Sequence, residues 1–265
     1  MLPIILLAVC HYFDSAGALR SEIYCAILFI LYKKVLRTVL VGKRKQMAAE
    51  GKSKFTLMTT EPVERLVCKM AIPTIISMLV TALYNIVDTF FVGRIGNEAT
   101  AGVGLVLPMM AVMQAFGFFF GMGSGNYISR SLGAQETDKA ETMAATGCFS
   151  ALLFGVLILA LGLTFKGALL YVLGARETLL DALTVRCAGE YLTIILCGAP
   201  FLCVSCVMNN QMRFQGNAFF SMIGLVSGAV LNCVLDPIFI FTLGLGVRGA
   251  AYATVLGQIA SCALL

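Results

Sequence analysis

The chain has 265 residues, 59% of them hydrophobic and only 33 charged (19 Lys+Arg, 14 Asp+Glu), whereas a soluble domain is nearer 45–50% apolar and about 25% charged. Its net charge of +5 is concentrated at the front: residues 1–70 carry 11 basic and 5 acidic residues, and the remainder 8 and 9. That asymmetry excludes a basic nucleic-acid-binding surface, and a single histidine, His11, excludes His-based metal sites and most acid–base enzymes.

Residues 1–46 are unlike the rest of the chain. The stretch LPIILLAVC has no basic residues before it, as a signal peptide would, and IYCAILFILY is about ten residues, too short to span a bilayer. Either the natural start is Met47, or Lys33, Lys34 and Arg37 mark a helix on the lipid surface. Residues 47–66 read as a cytoplasmic amino-terminal segment.

Six apolar runs of about 20 residues come next, the length a helix needs to cross about 30 Å of hydrocarbon. They lie at about 67–92, 100–127, 141–165, 186–209, 218–242 and 247–265, with ends uncertain by about two to four residues. The fold class is an all-α membrane protein with six transmembrane helices in one bundle. Between the third and fourth runs, Lys166 to Arg186 repeats apolar residues at helical spacing, as in an interfacial helix. The last run ends at Leu265 with no polar flank, so the natural protein is expected to continue. Counted over the loops, the positive-inside rule favours a cytoplasmic amino terminus by a small margin, and the localisation expected is the inner (plasma) membrane.

The ten cysteines are scattered through apolar runs and read as reduced packing residues. Cys203 and Cys206, in CVSC, have no second pair to complete a metal site and no βαβ context for redox chemistry. Gly117, Gly121 and Gly125, and likewise Gly224 and Gly228, recur every four residues, the small-residue pattern that lets membrane helices approach closely. Glu190 is expected at a helix end.

An ionised carboxylate in hydrocarbon costs several kcal/mol unless paired, hydrated or protonated, so acids inside spans are functional candidates. Asp88, in YNIVDTFFVGR, stands six residues before Arg94, and Asp236, in LNCVLDPIFIF, seven before Leu243. Both spans run in the same direction, so the two acids reach similar depth; Thr254, six residues past Arg248 on the antiparallel sixth span, shares that level. Tyr84 and Asn232 lie four residues before Asp88 and Asp236, on the same helix faces. These oxygen-rich groups suit Na⁺ or a shared proton. The plainer alternative is that the acids cap helices or pair with basic groups, although neither apolar run contains Lys or Arg beside them.

Gln114, Asn126 and Asn209 are candidates for a substrate pathway, or they bond neighbouring helices. Pro237 follows Asp236, removes one helical N–H and frees the carbonyl of Cys233; it and Pro73 are candidate hinges, and Pro108 and Pro200 also lie inside apolar runs.

The stretches AIPTIISMLVTALYNIVDTFFVGRIG, GMGSGNYISRSLGAQ, VLNCVLDPIFIF and GAAYATVLGQ resemble the multidrug and toxic compound extrusion (MATE) transporters over about residues 60–265. The resemblance implies the amino-terminal six-helix lobe, residues 67–265, of a twelve-helix protein whose carboxy-terminal lobe is missing here. It implies export of organic cations and amphipathic drugs in exchange for H⁺ or Na⁺, no cofactor, and a coupling-cation site at Tyr84, Asp88, Asn232, Asp236 and Thr254. A lipid-linked saccharide flippase of similar architecture is the rival transporter; it predicts a cluster of basic residues facing a central cavity, and the reading of the spans places no basic residue after position 70 deep in one. An intramembrane enzyme would need a base or a metal set, and an inactive truncated half-transporter is a further alternative.

Overall fold

A computed structural model describes residues 62–175 and 180–265, all within one compact unit, Glu50–Leu265. The expectations for residues 1–46, and for 47–61 of the amino-terminal segment, lie outside the described residues. Every described element is helical: α1 (Val63–Gly93), α2 (Asn97–Gly133), α3 (Thr137–Thr164), α4 (Lys166–Val172), α5 (Ala182–Phe214), α6 (Ala218–Pro237), which continues as a π-helical turn at Ile238–Thr242, and α7 (Val247–Leu264). Helices dominate because an apolar solvent offers no partner to backbone N–H and C=O groups, which a helix satisfies internally.

Each of the six expected spans is present, begun up to four residues earlier than hydropathy alone sets it. Five helices (α1, α2, α3, α5 and α6 with its π turn) are long and apolar enough to cross a membrane. The sixth, α7, is 18 residues long and is diluted by Arg248 and Gln258, yet it packs along both α5 and α6.

The bundle is organised around α5, where 20 of 33 residues are buried. It contacts α2, α3, α6 and α7, while α1 packs mainly on α6 and buries only Ser77 and Val92. Small residues set these approaches. A methyl group at Gly117 would meet Cys206 Cβ at 2.7 Å, one at Gly155 would meet Pro200 Cα at 2.6 Å, and one at Gly228 would meet the Gly257 carbonyl oxygen at 2.7 Å. The glycine repeats therefore let neighbouring helices approach closely, as their spacing predicts, with side chains seated on Gly117, Gly121, Gly125 and Gly224 and backbone on Gly228. Cys68, Cys148, Cys187, Cys197, Cys203, Cys206 and Cys233 are free thiols, and Cys203 packs against α2 with Sγ 3.7 Å from the Met113 carbonyl oxygen.

Three expectations need correcting. The helix foreseen over Lys166–Arg186 ends after seven residues, because Gly174 adopts φ +92° and closes a Schellman cap, with Ala175 N–H on Leu170 C=O (2.9 Å) and Gly174 N–H on Tyr171 C=O (3.2 Å). Apolar periodicity does not register such a stop. Glu190 is not at a helix end but more than two turns into α5, where its Oε1 accepts from Arg248 Nη2 of α7 (2.8 Å) and Arg186 Nε (3.1 Å). The fourth run continues past its expected end at about 209, so that Arg213 lies within α5, one residue before its last.

Candidate functional site

The two acids come from different helices, α1 and α6, which pack on each other. Asp236 is completely buried and Asn232, one turn earlier, is 3% exposed. The Asn232 amide is oriented by its neighbours: its nitrogen donates to Asp236 Oδ2 at 3.0 Å, and its oxygen accepts from the Thr254 backbone N–H at 3.0 Å. The opposite orientation would set the amide oxygen against the carboxylate. The Thr254 hydroxyl lies 3.3 Å from the same amide and 3.0 Å from the Ala250 carbonyl, to which it donates. The α6–α7 approach at Gly228 and Gly257 makes this cross-helix network possible, since larger residues there would hold Asn232 away from Thr254.

Asp88 and Asp236 lie within electrostatic reach of each other, and both act on Tyr84. One oxygen of each acid, Oδ1, is buried and has no hydrogen-bond partner among the described residues. Neither carboxylate is salt-bridged to a Lys or Arg among the described residues; the ion pairs there join Glu136 to Lys139 and Glu190 to its two arginines. Buried polar atoms are nearly always satisfied, so these two unpartnered carboxylate oxygens set the acids apart from the other buried polar groups of the bundle. The helix-capping and basic-pair alternative has no support in this geometry. A phenol, two carboxylates and a hydroxyl offer hard oxygen donors, while the Asn232 oxygen is taken up by the Thr254 N–H; no group of three His, Cys, Asp or Glu fit for a transition metal occurs among the described residues.

One member escaped the sequence reading. Tyr191, on α5, is 1% exposed; its hydroxyl lies beside the Thr254 hydroxyl and within reach of both carboxylates and Tyr84, with Met110 Sδ at 4.0 Å. A lone tyrosine in an apolar run gives no signal that its hydroxyl comes within electrostatic reach of acids from two other helices.

Tyr84, Asn232 and Thr254 also line a cavity of about 350 Å³ between α1, α2, α5, α6 and α7. Gln114 and Asn209 line it as well. Asn126 does not: it sits on the exposed side of α2, beyond the residues that face the cavity, because a polar residue in an apolar run does not reveal its own helix face. Asn209, nearer the far end, donates from Nδ2 to the Ser221 carbonyl at 3.0 Å. Arg213 is the cavity's cationic residue, also unforeseen. Of the hinge candidates, Pro73 lies inside α1, which runs unbroken through it. Pro237 marks the point where α6 changes to the π turn, which closes with Leu243 N–H on Ile238 C=O at 2.9 Å.

The MatE family model matches residues 73–238, which hold both carboxylates. The chain belongs to the MATE family. It is 32% identical over 202 residues to the multidrug export protein MepA of Staphylococcus aureus (strain MRSA252), a match covering 76% of this chain and 44% of MepA. Among solved structures, a multidrug resistance MATE family transporter in an outward-facing conformation superposes with a TM-score of 0.73 at 34% identity, over 79% of this chain and 45% of that one. A MOP superfamily transporter from Pyrococcus furiosus superposes with a TM-score of 0.70 at 35% identity, over 75% and 43%. The chain thus spans less than half the length of these relatives, and it is a multi-pass membrane protein built as one MATE lobe.

Proposed function

We propose that this lobe belongs to a cation-coupled antiporter, in which H⁺ or Na⁺ held by Asp88 and Asp236 drives export of organic cations and amphipathic drugs. The observation that carries the reading is the pair of buried, unpartnered Oδ1 atoms within electrostatic reach of each other. A cation there would neutralise charge that is costly in a low-dielectric surrounding. Asn232 holds Oδ2 of Asp236, leaving Oδ1 to take the ion. Tyr84, Tyr191 and Thr254 supply further oxygens.

Coupling follows from position. Tyr84, Asn232 and Thr254 belong at once to the acid cluster and to the cavity wall, so an ion at the acids and a drug in the cavity act on the same side chains. A ligand shifts a conformational equilibrium only through its different affinity for the two states. The neutralised cluster favours one arrangement of α1 against α6, the drug-loaded cavity the other, and the lobe alternates against the partner lobe of a twelve-helix transporter. Bending of α1 near Pro73 and of α6 at Pro237 gives the motion a place to occur. One arginine rather than a basic cluster lines the cavity, which favours this reading over a saccharide flippase.

The test is efflux of ethidium from cells expressing the protein, with Na⁺ varied at fixed pH and then pH varied without Na⁺. Asp236→Asn should abolish ion-dependent efflux at unchanged protein abundance. Undiminished efflux in that variant would overturn the assignment.

A further inference from the structure

The amino-terminal half of α1 is intrinsically weak. Pro73 withdraws one N–H from its hydrogen-bond ladder, and three hydroxyls in succession turn back onto carbonyls of the same helix: Thr74 Oγ1 donates to Met70 at 3.0 Å, Ser77 Oγ to Thr74 at 2.8 Å and Thr81 Oγ1 to Ser77 at 2.8 Å. Back-bonding of this kind slightly destabilises a helix and bends it. Packing offers little compensation, because Ser77 is the one buried residue of this half, while Ile75, Met78 and Leu79 around it are more than half exposed.

What meets Ser77 is Arg213 of α5. Its Nη2 donates to Ser77 Oγ at 3.4 Å and its Nε to Ser221 Oγ of α6 at 3.0 Å, so one rigid guanidinium fork spans three helices. The junction is unequal. Ser221 Oγ donates in turn to the Asn209 carbonyl at 3.2 Å, and Asn209 Nδ2 to the Ser221 carbonyl at 3.0 Å. Three side-chain bonds thus join α5 to α6 here, whereas a single bond, the longest of the four, brings in α1. Ser77, Tyr84 and Asp88 are seven and eleven residues apart and share one face of α1, and Ser77, Met78, Thr81 and Tyr84 line the cavity. The segment under Arg213 is therefore a wall of the cavity.

We propose that Arg213 is a positioning residue, a latch that fastens the amino-terminal half of α1 to α5 and α6, and that breaking its one bond to Ser77 frees this half to swing at Pro73 and part the cavity wall. The α5–α6 junction stays closed when the latch opens, because its bonds do not pass through Ser77. The latch is a property of the packing and stands without the antiporter reading; its use in transport rests on that reading, in which a cation shared by Asp88 and Asp236 ties α1 to α6 three turns further along.

Backbone hydrogen exchange of the purified chain in neutral detergent without Na⁺, read by mass spectrometry, tests the latch. The amides of residues 74–81 should exchange about tenfold faster in Ser77→Ala and in Arg213→Gln than in the wild type, and Arg213→Lys should restore part of the protection, since an ammonium still donates to a hydroxyl. Ser77→Ala is the decisive variant. It leaves the α5–α6 bonds in place, so it reads the latch even where Arg213→Gln loosens those helices, and its sign discriminates: alanine is the better helix former and removes a back-bond, so without a latch exchange would slow. Unchanged or slower exchange of residues 74–81 in Ser77→Ala overturns the proposal. Additive acceleration in the double variant Ser77→Ala/Arg213→Gln also overturns it, because partners in one bond are not additive. Ethidium efflux from cells expressing the protein then reads the use of the latch: both single variants should lower the ion-dependent rate several-fold, and an unchanged rate in both overturns its role in transport. No ion-dependent efflux by the wild type would instead overturn the antiporter reading, with the latch still decided by exchange.

Discussion

The Asn232 amide nitrogen and Asp236 Oδ2 are joined at 3.0 Å across one turn of α6, and the other oxygen of that carboxylate stays buried with no partner among the described residues. The amide thus orients the acid without saturating it. Its own oxygen is anchored on α7 through the Thr254 N–H, so the posture of Asp236 depends on two helices staying in register.

Replacing Asn232 with Leu should remove both contacts while preserving volume. The expected loss of stability is about 1 kcal/mol, since hydrogen bonds between membrane helices contribute modestly. The loss of cation affinity should be larger, about tenfold, because Asp236 would no longer be held in place. Thermal unfolding in detergent and cation titration of the same preparation separate the two effects.

Tyr191→Phe keeps the buried ring and deletes the hydroxyl beside Thr254. Folding should be nearly unaffected, while ion-dependent ethidium efflux falls, though less than in Asp236→Asn. Tyr191→Ala should instead destabilise by about 3–5 kcal/mol, as large core truncations do, visible as loss of monodisperse protein on size exclusion.

The contact of Gly228 with Gly257 makes a steric prediction. Gly228→Val puts a side chain where the Gly257 carbonyl oxygen stands 2.7 Å from the first added carbon, and overpacking of this kind costs about 1–3 kcal/mol. The unfolding temperature should drop by several degrees, and cation binding should weaken with it because Asn232 and Thr254 are pushed apart. Gly104→Ala, where nothing lies within 4 Å, should be neutral or stabilising by up to about 1 kcal/mol.

At the end of α7 near Gly246, Glu190 ties α5 to α7 through Arg248. Arg248 is half exposed, so the pair is screened and Glu190→Gln should cost about 1 kcal/mol or less. The difference between wild type and variant in thermal unfolding should shrink as salt is raised to about 1 M, where the screening length falls to about 3 Å.

How much of this could be read from the sequence depended on the kind of signal. The spans were legible because hydrocarbon demands about 20 apolar residues and little else, and the acids because charge is rare there. Depth and helical spacing then brought Tyr84, Asn232 and Thr254 into view, since four residues on one helix share a face whatever the tertiary structure. Tyr191 and Arg213 were not legible: Tyr191 comes within electrostatic reach of the acids only through the packing of α5 against other helices, and Arg213, near the end of a hydrophobic run, reads as a loop residue. Asn126 failed for the converse reason, because a polar side chain near a span end can face outward at little cost. The overlong helix after α3 failed because one glycine with φ +92° overrides a periodicity that continues past it.

The most direct measurement is the number of cations bound per purified chain, followed by ²²Na⁺ at fixed pH and by proton uptake in Na⁺-free buffer, for wild type, Asp88→Asn and Asp236→Asn. The account predicts one Na⁺ or one proton taken up by the wild type at this cluster, lost in both variants. Uptake retained in both variants, or no uptake of either ion by the wild type, would contradict it.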